Sequence, residues 1–425
     1  MAVIFYLIEL GIKLAEKQTV PLPTQNAVVT SSLIDKKFGD NESGLTMLAQ
    51  FTDRVTRQPL MDGNNFKPLI NGDQAFPDML AAIEHAESSI TLCSYIFDND
   101  SWGKKFRTAL KNAVARGVEV RVLIDSVGAR YSFPSIISGL RTDGVKVEQF
   151  METFLPWRFR YLNLRNHRKL MVVDGKTGFT GGLNIREGVV LSDNPPYPLQ
   201  DIHFRIQGPI VAQLQCTFAE DWIFTTEERL EGEIWFPHLE HCGSGMARGL
   251  ADGPDEDFGK LRLVILGALA SARRSIRIAS PYFLPDNELT TGLIVAALRG
   301  VDVEIIVPAT TNLRLVKWAS EACLDELLEA GCRIFYSAPP FDHSKLMVVD
   351  EGWVLLGSAN WDSRSLTLNF EFNIECYDAN LAYLINTILN EKIKNSREVT
   401  REEMKSRFIG IQLRNRFLRL FSPYL

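Results

Sequence analysis

His167-Arg-Lys-Leu-Met-Val-Val-Asp174 recurs as His343-Ser-Lys-Leu-Met-Val-Val-Asp350. Each copy is followed at matched distance by a small pair and an asparagine: Gly181-Gly182-Leu183-Asn184, then Gly357-Ser358-Ala359-Asn360. A repeat of this length, centred on His and Lys, marks a duplicated unit and two half-sites able to face one anionic group.

The apolar, β-branched end of each copy stops at Asp174-Gly175 or Asp350, which reads as a strand entering a hairpin turn. Strand period two places His167, Lys169, Met171 and Val173 on one face, so that imidazole and ammonium project together. Asp174 and Asp350 then fall at the turn and are assigned structural roles.

The repetition extends outward. Residues 79–126 read as helix, strand, helix, strand (MLAAIEHAES, SITLCSYIF, GKKFRTALKNAVARG, VEVRVLID), and 263–307 repeat that order (VILGALASARR, SIRIASPYF, LTTGLIVAALRG, VDVEIIV). A third strand follows in each, GVKVEQF and GCRIFYS. Glycine at each second helix end before a β-branched run supports the boundaries. The fold expected is α/β, with two similar domains at 61–245 and 246–425, each a mixed sheet flanked by helices, and the active site between them. Residues 1–60 form an N-terminal extension, whose apolar AVIFYLI run is a third, weaker candidate for membrane contact. The Gly- and acid-rich stretch 241–260 reads as the linker.

Two imidazoles, two ammonium groups and two amides suit a phosphodiester. A phosphoryl centre needs charge neutralisation on its non-bridging oxygens, an in-line nucleophile and an acid for the leaving oxygen. Lys169, Lys345, Asn184 and Asn360 supply the first. One histidine attacks phosphorus and the other protonates the leaving alcohol, then acts as base on the incoming one. The lysines provide the positive charge, so neither a metal nor another cofactor is expected. Gly182 and Ser358 are expected to let the backbone approach the anion. Each histidine needs an acceptor on its other nitrogen; Asp201 follows the first motif and Glu371 the second. His203 shares a strand with Asp201, while His85 and His238 read as surface residues.

Composition narrows the field. The 425 residues carry 46% hydrophobic and 23% charged side chains, ordinary for a globular protein, and a net charge of −6. That balance argues against broad electrostatic binding of nucleic acid. Six scattered cysteines with no C-x-x-C pair suit reduced thiols buried as small hydrophobes. The apolar run at the N-terminus is interrupted by Glu9 and is too short to span a bilayer.

The pattern H-x-K-x4-D-x6-G-[GS]-x-N, present twice, resembles the phospholipase D superfamily. Within it, NGDQAFPDMLAAI, RNHRKLMVVDG, FTGGLNI, SPYFLPD, GSANWDSRSLTLNFE and RLFSPYL resemble bacterial cardiolipin synthases over about residues 66–425. The resemblance implies phosphatidyl transfer between two phosphatidylglycerol molecules through a phosphohistidine, with release of glycerol. It implies catalytic roles for His167, Lys169, Asn184, His343, Lys345 and Asn360, with Asp201 and Glu371 orienting the histidines. It leans towards His167 as nucleophile, although the near-symmetry leaves the order open. Such synthases often begin with two membrane helices that are not legible here, so peripheral attachment at the cytoplasmic face of the membrane is expected. Two segments could meet that surface: 155–169, which interleaves Trp157, Phe159 and Tyr161 with arginines, and the C-terminal stripe Ile409, Leu413, Phe417, Leu420 and Phe421. A phospholipase D using water, a transferase using another alcohol such as serine, a nuclease and a non-catalytic lipid-binding protein are the alternatives.

Overall fold

The repeated strand–helix order builds one continuous sheet. The computed structural model describes Ile34 and residues 43–151, 164–311 and 313–422. From its outer edge inward, the first half runs Lys146–Phe150, Glu119–Asp125, Ser89–Ser94, Leu170–Val173, Thr177–Gly181, Ile202–Gln207 and Met61–Ile70. The second half repeats the order with Arg333–Ser337, Asp302–Pro308, Ser275–Ala279, Leu346–Val349, Trp353–Gly357, Asn369–Tyr377 and Gly245–Asp252. Arg397–Val399 adds an edge strand beside Arg333–Ser337. The outer three strands of each half are parallel to one another, and the inner ones are antiparallel. The halves meet where Met61–Ile70 pairs antiparallel with Gly245–Asp252.

Helices cover both faces, giving three layers. On one face each half has its own core. Met171, Val173, Ile90 and Val122 pack under helices Asn71–Glu84 and Ser101–Ala115. Met347, Val349, Ile278 and Ile305 do the same under Lys260–Ser271 and Asn287–Leu298. On the other face a single core joins the halves: Leu170, Val172 and Phe204 share it with Val348, Leu356 and Phe372, beneath helices Val211–Thr226 and Ala379–Lys394. Strand alternation thus gives each KLMVV segment one foot in a private core and one in the shared core.

Three expectations change. The 241–260 stretch is no linker: it contains Gly245–Asp252, a central strand buried almost throughout. Its small residues are needed there, because a side chain at Gly249 would strike the Phe372 ring and Gln213. The repeated strand begins at Leu170, not at His167; His167–Lys169 precede the ladder. The end of the N-terminal extension, helix Ser43–Thr56, buries Leu45, Leu48 and Ala49 against Val264, Ile265 and Ala268 of the second half. The N-terminal apolar run and most of the aromatic–basic segment, including Trp157, Phe159 and Tyr161, lie outside the described residues. Five cysteines are buried as expected of small hydrophobes, whereas Cys242 is exposed.

Candidate active site

Two short parallel pairings aim the histidines. Arg165–Asn166 pairs with Asn369–Phe370 of the second half, and Phe341–Asp342 pairs with Leu199–Gln200 of the first. Each crossing continues for one more residue: His167 N donates to Phe370 O at 2.9 Å and His343 N to Gln200 O at 2.7 Å. Each histidine is thereby carried onto the opposite half, beside that half's acid.

The acids are accordingly exchanged. His167 Nδ1 lies 3.0 Å from both carboxylate oxygens of Glu371, and His343 Nδ1 lies 2.7 Å from Asp201 Oδ2. With Nδ1–H donating to a carboxylate, Nε2 is left as the reactive nitrogen of each ring. The lysines stay with their own histidines: Lys169 Nζ donates to His167 O at 2.6 Å and Lys345 Nζ to His343 O at 2.5 Å. Lys345 Nζ also lies 2.9 Å from His343 Nδ1 and 3.1 Å from its Nε2.

Burial sets the protonation of this cluster. It pushes His167 well below the usual imidazole range, with Lys169 and Lys345 adding to the effect. Burial also lowers His343 to about 4, again reinforced by Lys345. Desolvation brings Lys169 down to about 7 and Lys345 to about 8, and raises Glu371 to about 7. Charges from one half act on groups of the other, as Lys345 does on His167 and Asp201 on Lys345, which places both half-sites in one electrostatic environment.

The small residues after each motif serve the acids. A side chain at Gly182 would run into the Asp201 carboxylate, so glycine is what allows Asp201 to reach His343. Ser358, at the matching position, is fully buried and donates to Glu371 Oε2 at 2.5 Å. Gly182 and Ser358 thus each lie against a carboxylate. Asn369 Nδ2 adds a 3.1 Å bond to Glu371. Asn184 accepts from Ile96 N at 3.1 Å, and Asn360 donates to Ser365 Oγ at 3.2 Å. Asp174 and Asp350 sit at the hairpin turns, away from the histidines. Asp174 caps the backbone N–H groups of Glu87, Ser88 and Ser89, and Asp350 those of Arg273, Arg274 and Ser275.

Several contributors escaped the sequence reading. Arg168, inside the motif, is fully buried; it donates to Glu371 O at 3.1 Å and pairs with Asp221 at 2.5 Å. Its counterpart Ser344 bonds Asp342, and Asp342 pairs with Lys392 at 2.6 Å. Both halves therefore tie the motif to the helix beneath it through a buried ion pair, but with the charges reversed. Tyr95 packs edge-on to His167 at 5.2 Å and Tyr282 to His343 at 6.4 Å between ring centroids. They stand one place apart within SYIF and SPYF, so superposing the repeats does not pair them.

A family model described as cardiolipin synthase, PLD-like domain, matches residues 79–222 and 265–393. The chain belongs to the cardiolipin synthase family of phospholipase D-like proteins. Among its relatives, a cardiolipin synthase of Geobacillus sp. (strain WCH70) is 36% identical over 89% of this chain and 76% of its own length. Cardiolipin synthase A of Pseudomonas putida (strain W619) is 38% identical over 88% of this chain and 77% of its own. Among solved structures, a phosphatidylserine synthase from Haemophilus influenzae Rd KW20 covers 89% of this chain and all of its own at a TM-score of 0.68. At 16% identity that likeness speaks for the two-unit fold alone.

Proposed function

We propose that this member of the cardiolipin synthase family transfers a phosphatidyl group from one phosphatidylglycerol to a hydroxyl of a second, releasing glycerol. The crossed Nδ1–carboxylate bonds carry the reading, because they leave two Nε2 atoms, flanked by two ammonium groups, for one phosphodiester. The identity of 34–38% with curated cardiolipin synthases over most of the chain supports the choice of reaction.

One histidine Nε2 attacks phosphorus. The N–P bond forms as the bond from phosphorus to the glycerol oxygen breaks, and the other histidine gives its proton to that oxygen. In the second half-reaction the hydroxyl of the acceptor attacks phosphorus, the N–P bond breaks, and the second histidine takes the hydroxyl proton. Lys169, Lys345, Asn184 and Asn360 neutralise the non-bridging oxygens. Glu371 and Asp201 hold each ring in the Nδ1–H tautomer and stabilise the imidazolium when it forms. Burial makes both imidazoles favour the neutral form, which suits the nucleophile. The acid needs its proton restored, and the arriving phosphate anion supplies the negative charge that favours it.

Among the described residues no helix is long and apolar enough to cross a membrane. We place the catalytic body at the bilayer surface, on the cytoplasmic side, where six free thiols are at home.

The deciding experiment offers labelled phosphatidylglycerol in mixed micelles and identifies the products. Cardiolipin with equimolar glycerol is expected. Phosphatidic acid alone makes the protein a hydrolase and overturns the assignment.

A further inference from the structure

The helix Ile409–Arg419 is docked with its polar side inward. It lies on helix Arg314–Glu329, and the docked contacts are polar. Asn415, only 4% exposed, donates to Glu321 at 2.8 Å; Arg419 pairs with Glu326 at 2.5 Å; and Arg407, just before the helix, pairs with Glu321 at 2.6 Å. The Arg414 guanidinium lies 3.9 Å from the Trp318 ring centroid. The outward side is apolar: Ile409, Leu413, Phe417 and Leu420 are 60%, 61%, 59% and 74% exposed, and Phe408 and Phe421 flank them. A helix that merely completed a domain would turn this stripe into the core. A contiguous exposed patch of this kind marks an interaction surface.

The docked side of the helix is linked to the candidate active site. Glu321, which holds both Arg407 and Asn415, lines a groove together with Tyr282, and Tyr282 packs on His343. On the other half, exposed Tyr131 packs on Tyr95, which packs on His167, and the next aromatic in that loop, Phe133, is fully exposed.

We propose that the outward face of Phe408–Phe421 is a docking surface for an anionic phospholipid bilayer, seating the site at the lipid–water boundary. The proposal rests on the reading that both substrates are membrane phospholipids. The chemistry fits a lipid surface. Large aliphatic and aromatic side chains face outward, and at their border the half-free Arg416, its side chain 70% exposed, reaches Asp325 only at 4.0 Å. Such a guanidinium meets anionic headgroups while the stripe enters the acyl boundary.

The test compares the full chain with its Leu413→Glu/Phe417→Glu variant. Both positions are exposed, so the unfolding midpoint should be unchanged. Sedimentation with phosphatidylglycerol vesicles measures docking, and turnover of dissolved diheptanoyl phosphatidylglycerol, below its critical micelle concentration, measures chemistry. Vesicle affinity is expected to fall about a hundredfold, as two side chains stop being buried, with dissolved substrate turned over as before. Unchanged vesicle binding overturns the proposal. So does retained vesicle binding with a loss of self-association, which would make a second copy the occupant. If the unaltered protein binds vesicles through this face yet makes no cardiolipin from either form of substrate, the docking surface stands and the functional reading falls.

Discussion

At the level of single residues, the site rests on an exchange: Glu371 serves His167 and Asp201 serves His343. Glu371→Gln and Asp201→Asn each keep the volume of the acid but remove its charge and disturb the tautomer that exposes Nε2. Each is expected to lower kcat by more than about a hundredfold while leaving the unfolding midpoint near its original value. Equal activity in either variant would detach that acid from catalysis. The lysines make a second prediction. Burial holds Lys169 at about 7 and Lys345 at about 8, far below the exposed value. A bound phosphodiester favours the charged ammonium and so raises both pKa values, which means that binding takes up protons above pH 7. The dissociation constant of an inert phosphodiester analogue should therefore rise steadily between pH 7 and pH 9. Titration calorimetry in buffers of different ionisation enthalpy should register the uptake at pH 8; a pH-independent constant would mean that the lysines do not contact the phosphate.

At the level of elements, the strands and helices that carry the repeat were legible because local periodicity determines them. Leu170–Val173 and Leu346–Val349 have the β-branched content of buried strands, and the four flanking helices show their apolar stripes. What escaped depends on distant pairing. Gly245–Asp252 has a linker's composition and becomes a central strand only because two other strands supply both its hydrogen-bonded edges. Arg165–Asn166 and Phe341–Asp342 are two-residue strands, too short to leave a period, yet they decide which acid each histidine meets. The turn aspartates were readable from position alone. Asp350 accepts three consecutive backbone N–H groups ahead of Ser275–Ala279, so Asp350→Ala leaves those donors without their acceptor. A loss of about 1–3 kcal/mol is expected from urea unfolding, with kcat per folded molecule little changed. A large fall in kcat at full stability would give Asp350 a chemical role.

At the level of the whole molecule, the halves are interdependent. The sheet runs unbroken across the seam, one core underlies both, and neither half holds a complete histidine–carboxylate pair. Duplication was legible in HRKLMVVD and HSKLMVVD, and so were the histidines, lysines and acids that the structure brings together; the crossing was not, since the repeats alone do not say which acid reaches which ring. Arg168 joins chemistry to architecture, linking Asp221 beneath the first half to the backbone of Glu371 in the second. Arg168→Met strands the Asp221 carboxylate in the shared core and should cost about 3–5 kcal/mol. Adding Asp221→Leu should recover most of that stability but not the activity, because Glu371 loses its support. Recovery of both would reduce Arg168 to a packing residue.

The most direct test of two half-sites forming one site is a rapid quench of the full chain during turnover of phosphatidylglycerol labelled at phosphorus. The expected result is an acid-labile, alkali-stable phosphoryl label on a single histidine, His167 or His343, with steady-state turnover abolished in both His167→Ala and His343→Ala. Near-normal turnover in either variant, or turnover without any histidine label, would contradict it.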